Sequence, residues 1–198
     1  MYRIIRCLIF FSIIFIILLI AKKKRLCLKK CLIFCGIPWI VLFIGSYFVP
    51  VENIFVKFDS PESVYNYYQL GNHDIHTVIE GDCSALVVGS EDDVYEILVI
   101  PNEKDGWKIG ISTNTEKTVI VNEENELYMT IYQLKNTNDT FIEISHFYGN
   151  SLDITDSEKS DFASVSITER PYYTYYACIS NFGEEYQIFV NGNKINVF

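Results

Sequence analysis

The 198 residues of this chain include 25 acidic and 16 basic side chains, which gives a formal net charge of −9 at pH 7. The charge is unevenly placed, because every acidic residue follows Val51 and only eight basic residues do. Residues 51–198 therefore carry 8 − 25 = −17, and residues 1–50 carry +8. A domain this acidic is repelled by nucleic acid and by anionic membrane surfaces, so nucleic acid is excluded as its partner.

Residues 1–50 predict a hairpin of two transmembrane helices, at about residues 4–21 and 31–49. Each apolar stretch comes close to the roughly 20 residues that a membrane span needs. A cleaved signal peptide is the alternative for the first stretch, but the lysines after Ala21 do not fit a small-residue cleavage site. The connecting segment 22–30 is basic, and basic loops stay in the cytoplasm. The residues expected to set this topology are Lys22, Lys23, Lys24, Arg25, Lys29 and Lys30.

This pattern predicts a cell-membrane protein with two spans, for which the lipid bilayer is a partner. Because the basic hinge is expected inside, the acidic domain of residues 51–198 is expected outside the cytoplasm.

Residues 51–198 predict an α+β, predominantly antiparallel β domain with one amphipathic helix. Ser60-Pro61-Glu62 is typical of a helix start, with Ser at the N-cap and Pro at the first helical position. Beyond Gly71, strand-forming stretches alternate with turn residues about every ten positions, which is the pattern of a meander. Asn191-Gly192 predicts a closing hairpin. The domain is either a single unit or two halves, at about 51–115 and 116–198.

Five stretches of this domain also form a distinctive set. They are the Tyr-rich helix opened by Ser-Pro-Glu (60–68), Glu80 through Val88, Ile100 through Gly110, Tyr132 through Asn138, and Val190 through Ile195. Together they resemble a group of uncharacterised small membrane-anchored proteins of Gram-positive bacteria. That group has no assigned function, so the resemblance implies a placement outside the cytoplasm and no particular activity.

Two groups of polar residues are weak candidates for holding a metal ion. An oxygen-rich loop can bind calcium, and the acids concerned are Asp153, Asp156, Glu158 and Asp161. Their spacing lacks the EF-hand glycine and glutamate, and a solvated surface loop is the alternative. His73 and His76 could seed a zinc site with His146, although polar residues at a helix exit are the simpler interpretation. No cofactor is predicted.

Cysteines and tyrosines supply two further hypotheses. Cys83 and Cys178 are the only cysteines after residue 50, and outside the cytoplasm they could form a disulfide. Each could equally be a buried strand residue. Tyr173 and Tyr175 share one face of a predicted strand and are weak candidates for an exposed stacking platform that binds a sugar or peptide. The alternative is that tyrosines fill both faces of a sheet.

Nothing in the sequence has the form of a catalytic motif, since neither a Gly-x-Ser-x-Gly elbow nor a Cys/His signature occurs. The preferred function is a membrane-anchored extracytoplasmic binding or interaction module, or an accessory subunit of a membrane complex. Its expected partner is a protein or an envelope component. The alternatives are a cell-envelope hydrolase that uses acidic residues, and a small membrane-active protein of the immunity or toxin type.

Overall fold

The computed structural model describes residues 2–24, 36–48, 50, 52–69, 73–91, 94–110, 115–122, 127–146, 151–167 and 172–195. The chain forms two compact units. One, here the helical unit, comprises Met1–Val56 and Asn66–Asn72, and the other, here the β-rich unit, comprises Lys57–Tyr65 and His73–Phe198.

The helical unit contains one long helix, α1 (Tyr2–Lys23), followed by α2 (Ile37–Phe48) and the single turn α3 (Glu52–Phe55). Helices α1 and α2 contact each other through aromatic rings. The ring centroid of Phe10 lies 5.2 Å from that of Trp39 and 4.8 Å from that of Phe43. Both helices also expose large apolar side chains, among them Leu8, Phe11, Phe15, Val41 and Leu42.

No helix that the described residues form combines the length and the apolar character that crossing a membrane requires. The prediction of two transmembrane helices, at about 4–21 and 31–49, is therefore wrong, and so is the two-span cell-membrane location derived from it. Helix α2 has 12 residues, about 18 Å at 1.5 Å per residue, against a hydrocarbon core of about 30 Å.

The apolar part of α1 is also shorter than the helix itself. Arg3 and Arg6 lie near its beginning, and Lys22 and Lys23 form its end. Lys24 follows directly, whereas Arg25, Lys29 and Lys30 of the predicted basic hinge lie outside the described residues.

In the β-rich unit, the first of three antiparallel sheets has the order β1-β2-β3-β4. Its strands are β1 (Asp74–Glu80), β2 (Ser84–Glu91), β3 (Val94–Glu103) and β4 (Gly106–Trp107). Helix α4 (Pro61–Gln69) begins where Ser60-Pro61-Glu62 predicts, and the Ser60 hydroxyl accepts a hydrogen bond from the Ser63 N–H at 3.2 Å. Buried Tyr65 of this helix packs on Gly89, where a Cβ would lie 2.8 Å from the tyrosine ring.

A five-stranded sheet of order β5-β6-β7-β10-β9 forms the middle of the unit. Its strands are β5 (Thr115–Asn122), β6 (Leu127–Leu134), β7 (Thr140–His146), β9 (Ala163–Ile167) and β10 (Tyr172–Ile179). The third sheet, of order β12-β11-β8, contains β8 (Ile154–Asp156), β11 (Ile188–Val190) and β12 (Asn193–Ile195). Asn191 and Gly192 join β11 to β12 with φ values of 50° and 78°, which confirms the predicted hairpin.

Both faces of the five-stranded sheet bury apolar side chains. On one face, Met129, Ile142 and Tyr175 share a core with Ile188 of the third sheet. On the opposite face, Tyr132, Leu134, Phe141 and Tyr176 pack against Leu86, Val88 and Val99 of the first sheet. The predicted antiparallel β character is present, but the fold class as a whole has to be corrected. The described residues form antiparallel sheets, one long N-terminal helix and the shorter helices α2–α4, and none of these helices meets the requirements of a membrane span.

Candidate interaction surface

Strand β5 lies at one edge of the five-stranded sheet. Within the described part of the chain, β5 pairs with β6 alone. Their register runs without a shift from Thr115 opposite Leu134 to Asn122 opposite Leu127. Most natural edge strands are short, bulged or interrupted by proline, because a regular edge invites pairing with another chain. Strand β5 has eight residues and none of these interruptions.

Three side chains beside this edge form an exposed apolar patch, here the edge patch, of Val119, Val121 and Tyr128. Their exposed fractions are 56%, 50% and 41%. Val121 lies directly opposite Tyr128 in the ladder, and Val119 is two residues away on the same strand. Because side chains alternate between faces, all three point to the same side of the sheet. The edge therefore combines exposed apolar side chains with a strand that, among the described residues, has a pairing partner on one side only.

Basic side chains lie near the beginning of β5, and acidic residues follow its end in the sequence. Lys117 lies on the same face as the patch, and its Nζ is 5.2 Å from the ring centroid of Tyr132. On the other face, the Nζ of Lys135 lies 3.5 Å from Oε1 of Glu116. After β5 the sequence continues as Glu-Glu-Asn-Glu at 123–126. One end of the edge is thus bordered by lysines and the other by an acidic sequence.

Farther from the edge on the same face, a carboxylate is held between two tyrosines. The hydroxyl of Tyr132 donates a hydrogen bond to Oε2 of Glu143 at 2.7 Å, and Tyr176 lies opposite Glu143 on the neighbouring strand. Burial raises the pKa of both tyrosine hydroxyls, and the charge of Glu143 raises it further. The hydroxyls therefore stay protonated, and Tyr132 acts as a hydrogen-bond donor that fixes the carboxylate.

A buried carboxylate, Asp139, has a structural role that its sequence position does not indicate. Its side chain accepts hydrogen bonds from the backbone N–H groups of Asp82 and Cys83, at 3.0 and 2.8 Å, and from the Ser84 hydroxyl at 2.6 Å. A Cβ on Gly81 would lie 2.7 Å from the carboxyl carbon, so glycine permits this approach. Asp139 thereby joins the β1–β2 turn to the β6–β7 turn.

The two predicted disulfide partners lie near Asp139, and both are free thiols in this structure. Cys83 is exposed in the β1–β2 turn, and Cys178 is half-buried on β10. Burial, followed by the negative charges of Asp139 and Asp82, raises the pKa of the Cys178 thiol to about 11. Cys178 lies on a strand, and its raised pKa lowers the fraction of reactive thiolate at neutral pH; the disulfide stays a prediction.

The four calcium candidates do not converge on one site. Asp156 is buried and accepts hydrogen bonds from the Tyr186 hydroxyl and the Ser160 N–H, both at 2.8 Å. Its neighbours Asp153, Glu158 and Asp161 are exposed. Among the residues that the structure describes, no three His, Cys, Asp or Glu side chains are grouped as a metal site requires. This statement also covers His73, His76 and His146.

The predicted tyrosine platform is not exposed. Tyr175 is 5% exposed, belongs to the core below the third sheet, and its hydroxyl accepts a hydrogen bond from the Leu152 N–H at 2.6 Å. Tyr173 is half-buried and packs against the same core. Both side chains therefore contribute to stability, and the exposed aromatic ring beside an open edge is Tyr128 instead. The sequence signal that could have indicated it is the position of Tyr128 near the start of a predicted strand, shortly after the acidic residues of 123–126.

Comparison with known proteins adds no relative: no protein-family model, no curated protein and no solved structure matches the chain. The resemblance to membrane-anchored proteins of Gram-positive bacteria stays a prediction.

Proposed function

We propose that the β-rich unit is a binding module that recognises an extended segment of a partner protein by adding it as a strand beside β5. The observation that carries this proposal is the regular, unbulged edge of β5 with the edge patch next to it. Strand addition gains affinity from main-chain hydrogen bonds and selectivity from alternate side chains. Strand β5 offers both kinds of contact.

The partner segment that fits this edge alternates apolar and polar residues. An added strand would place every second side chain on the face of Val119 and Val121, where β-branched apolar residues form favourable cross-strand contacts. The net charge of −17 in residues 51–198 favours basic flanking residues by long-range attraction.

Binding is supported over hydrolysis by how the buried carboxylates are used. Asp139 and Asp156 accept hydrogen bonds from backbone N–H groups and hydroxyls of the fold itself. Glu143 is bound by Tyr132, and the acids of the predicted calcium loop are dispersed. Asp139, Asp156 and Glu143 therefore have structural roles in the fold.

The test uses labelled synthetic peptides and the full-length chain in mild detergent. One peptide alternates valine and threonine and ends in lysines, and a second has proline at alternate positions, which removes the N–H groups needed for pairing. Fluorescence anisotropy should show binding of the first peptide only. Val119→Lys should weaken it by up to about fivefold, since a charged group replaces an apolar cross-strand contact of about 1 kcal/mol at most.

The matched control is Thr155→Lys, which places the same charge on exposed Thr155 of β8, an edge strand of the third sheet. It should leave peptide binding unchanged. Equal binding of the proline peptide, or equal losses for the two lysine variants, would show that β5 is not the binding edge.

A further inference from the structure

Helices α1 and α2 of the helical unit contact each other through one side of each helix. On α1 this side includes Phe10, whose ring packs against Trp39 and Phe43 of α2. The carbonyl of Phe10 also accepts a hydrogen bond from the indole N–H of Trp39 at 3.4 Å. On α2 the buried hydroxyl of Ser46 donates a hydrogen bond to the Phe43 carbonyl at 2.7 Å. The contact between the helices therefore uses the more buried side of each.

The opposite sides of the two helices form a wide exposed surface, here the apolar helix surface. On α1 it extends from Leu8 to Ile20, and on α2 from Ile37 to Ile44, with each large apolar side chain at least half exposed. Ser12 is the one polar side chain on the exposed side of α1 between these limits. At 3.6 residues per turn, the exposed positions cover about half of the circumference of each helix.

The width of the apolar helix surface favours lipid over a protein groove. A helix that docks in a groove uses residues spaced by three or four positions, which form a stripe about 100° wide. Fluid acyl chains adapt to a wider surface and to two adjacent helices at once. Helices that are apolar over much of their circumference occur in protein cores or in lipid, and this surface is exposed.

The charges beside the apolar helix surface point to the kind of lipid. Lys22 and Lys23 end α1, Lys24 follows, and all three are exposed. The sequences of α1 and α2 contain no acidic residue. Lysines beside an apolar surface reach the headgroup phosphates while their aliphatic chains remain in apolar surroundings, and anionic lipids attract them. A second copy of these helices would bring the same positive charges and no acid to pair with them.

We propose that the apolar helix surface inserts into one leaflet of an anionic lipid surface, with Lys22, Lys23 and Lys24 among the headgroups. The exposed stretch from Leu8 to Ile20 is about 18 Å long, shorter than a hydrocarbon core of about 30 Å, so the contact does not require α1 to cross the membrane. Binding of this kind gains from buried apolar area and from attraction to anionic lipid. The surface belongs to the helical unit, so the inference does not depend on the proposed function of β5.

Vesicle flotation of the full-length chain tests the apolar contact. The chain is diluted from mild detergent into vesicles of equal parts phosphatidylcholine and phosphatidylglycerol, and a density gradient separates lipid-bound chain, which rises, from aggregates, which sediment. Phe15→Glu, in the middle of the Leu8–Ile20 stretch, should weaken binding about tenfold or more, because a carboxylate would enter the apolar layer. The matched control is Ile54→Glu, which places the same charge on a 70% exposed isoleucine of α3 and should leave binding unchanged.

The charge contribution is tested by replacing the three lysines together. Lys22→Gln, Lys23→Gln and Lys24→Gln in one chain should weaken binding to these anionic vesicles by about fivefold per lysine, and should have little effect on vesicles of phosphatidylcholine alone. Lys135→Gln, which changes an exposed lysine of the β-rich unit, is the control and should not alter flotation.

Weaker flotation of Phe15→Glu and of the triple-lysine variant, with both controls unchanged, would support the inference. It would be overturned if the wild-type chain stayed at the bottom of the gradient, if Phe15→Glu and Ile54→Glu lost binding equally, or if the two kinds of vesicle bound it equally. A defined dimer that Phe15→Glu dissociates, without flotation, would show that a second copy covers the surface instead. Peptide binding at β5 is measured separately, and none of these outcomes decides it.

Discussion

Asp139 is expected to be the most sensitive polar residue of the β-rich unit. Asp139→Asn keeps the side-chain volume but removes the charge and replaces one acceptor oxygen with an N–H₂ group that faces donors. Hydrogen bonds to a charged group contribute about 1.5–3 kcal/mol each. Three such bonds end on Asp139, but the donors at Asp82 and Cys83 are in an exposed turn and can be rehydrated.

We therefore expect a loss of about 3 kcal/mol in the free energy of unfolding rather than the full sum. For a chain of this size each kcal/mol lowers Tm by about 2–4 °C, so the expected shift is about 6–12 °C. Thermal unfolding followed by circular dichroism of the full-length chain measures it. Amide hydrogen exchange at Asp82 and Cys83 gives a local readout, because the two N–H groups are bound by different carboxylate oxygens and asparagine keeps only one of them.

The matched control is Asp82→Asn, which removes one negative charge from the same turn while leaving the backbone N–H bound to Asp139. Its side chain is exposed, so Tm should change little. The reasoning would be refuted if the Tm of Asp139→Asn stayed within about 2 °C of this control and exchange at positions 82 and 83 remained slow.

Two further predictions concern packing and thiol chemistry. Gly89→Ala should destabilise the unit by about 1–3 kcal/mol, because its Cβ would lie 2.8 Å from the buried Tyr65 ring. The control Gly183→Ala should be tolerated, since no atom lies within 4 Å of its Cβ. Denaturant unfolding measures the stability of both variants. Cys178 should be alkylated far more slowly than exposed Cys83 at pH 8, and its rate should rise with pH toward its pKa of about 11. Mass spectrometry of the alkylated native chain measures both rates, and similar rates at the two thiols would contradict the burial of Cys178. Because the folded pKa is raised from 9.0, the stability associated with the neutral thiol is present below pH 9 and lost as the pH approaches 11.

Local features of the β-rich unit were predictable where a few neighbouring residues determine the backbone. Ser60 with Pro61 determines the start of α4, and Asn191-Gly192 permits the positive φ values of the last hairpin. The predicted membrane spans failed for a different reason. Counting apolar residues in sequence does not tell how many of them belong to one continuous helix, and the described extent of α2 is 12 residues.

Contacts between distant turns could not be predicted from the sequence either, because a local pattern does not show which turns pack together. Asp139 lies in Asn-Asp-Thr, an ordinary turn sequence, and its three donors are more than fifty positions earlier in the chain. No local pattern distinguishes a carboxylate that will be buried against another turn from one that will be solvated. Asp156 of the predicted calcium loop is a second example, since it is buried and accepts hydrogen bonds from the Tyr186 hydroxyl and the Ser160 N–H.

Strand order, which the sequence does not reveal, decides which apolar side chains are exposed. Val119, Ile120 and Val121 have the composition of an interior strand, and Tyr173 and Tyr175 have that of a half-exposed one. In the order β5-β6-β7-β10-β9, however, β10 lies inside the sheet with both of its faces covered, while β5 lies at the edge. Strand β5 has the apolar composition of an interior strand although it lies at an edge, so Val119 and Val121 expose apolar surface to solvent. An edge strand that contacts only water has no need of such apolar surface. That surplus is why a second strand, rather than water, is the expected neighbour of β5.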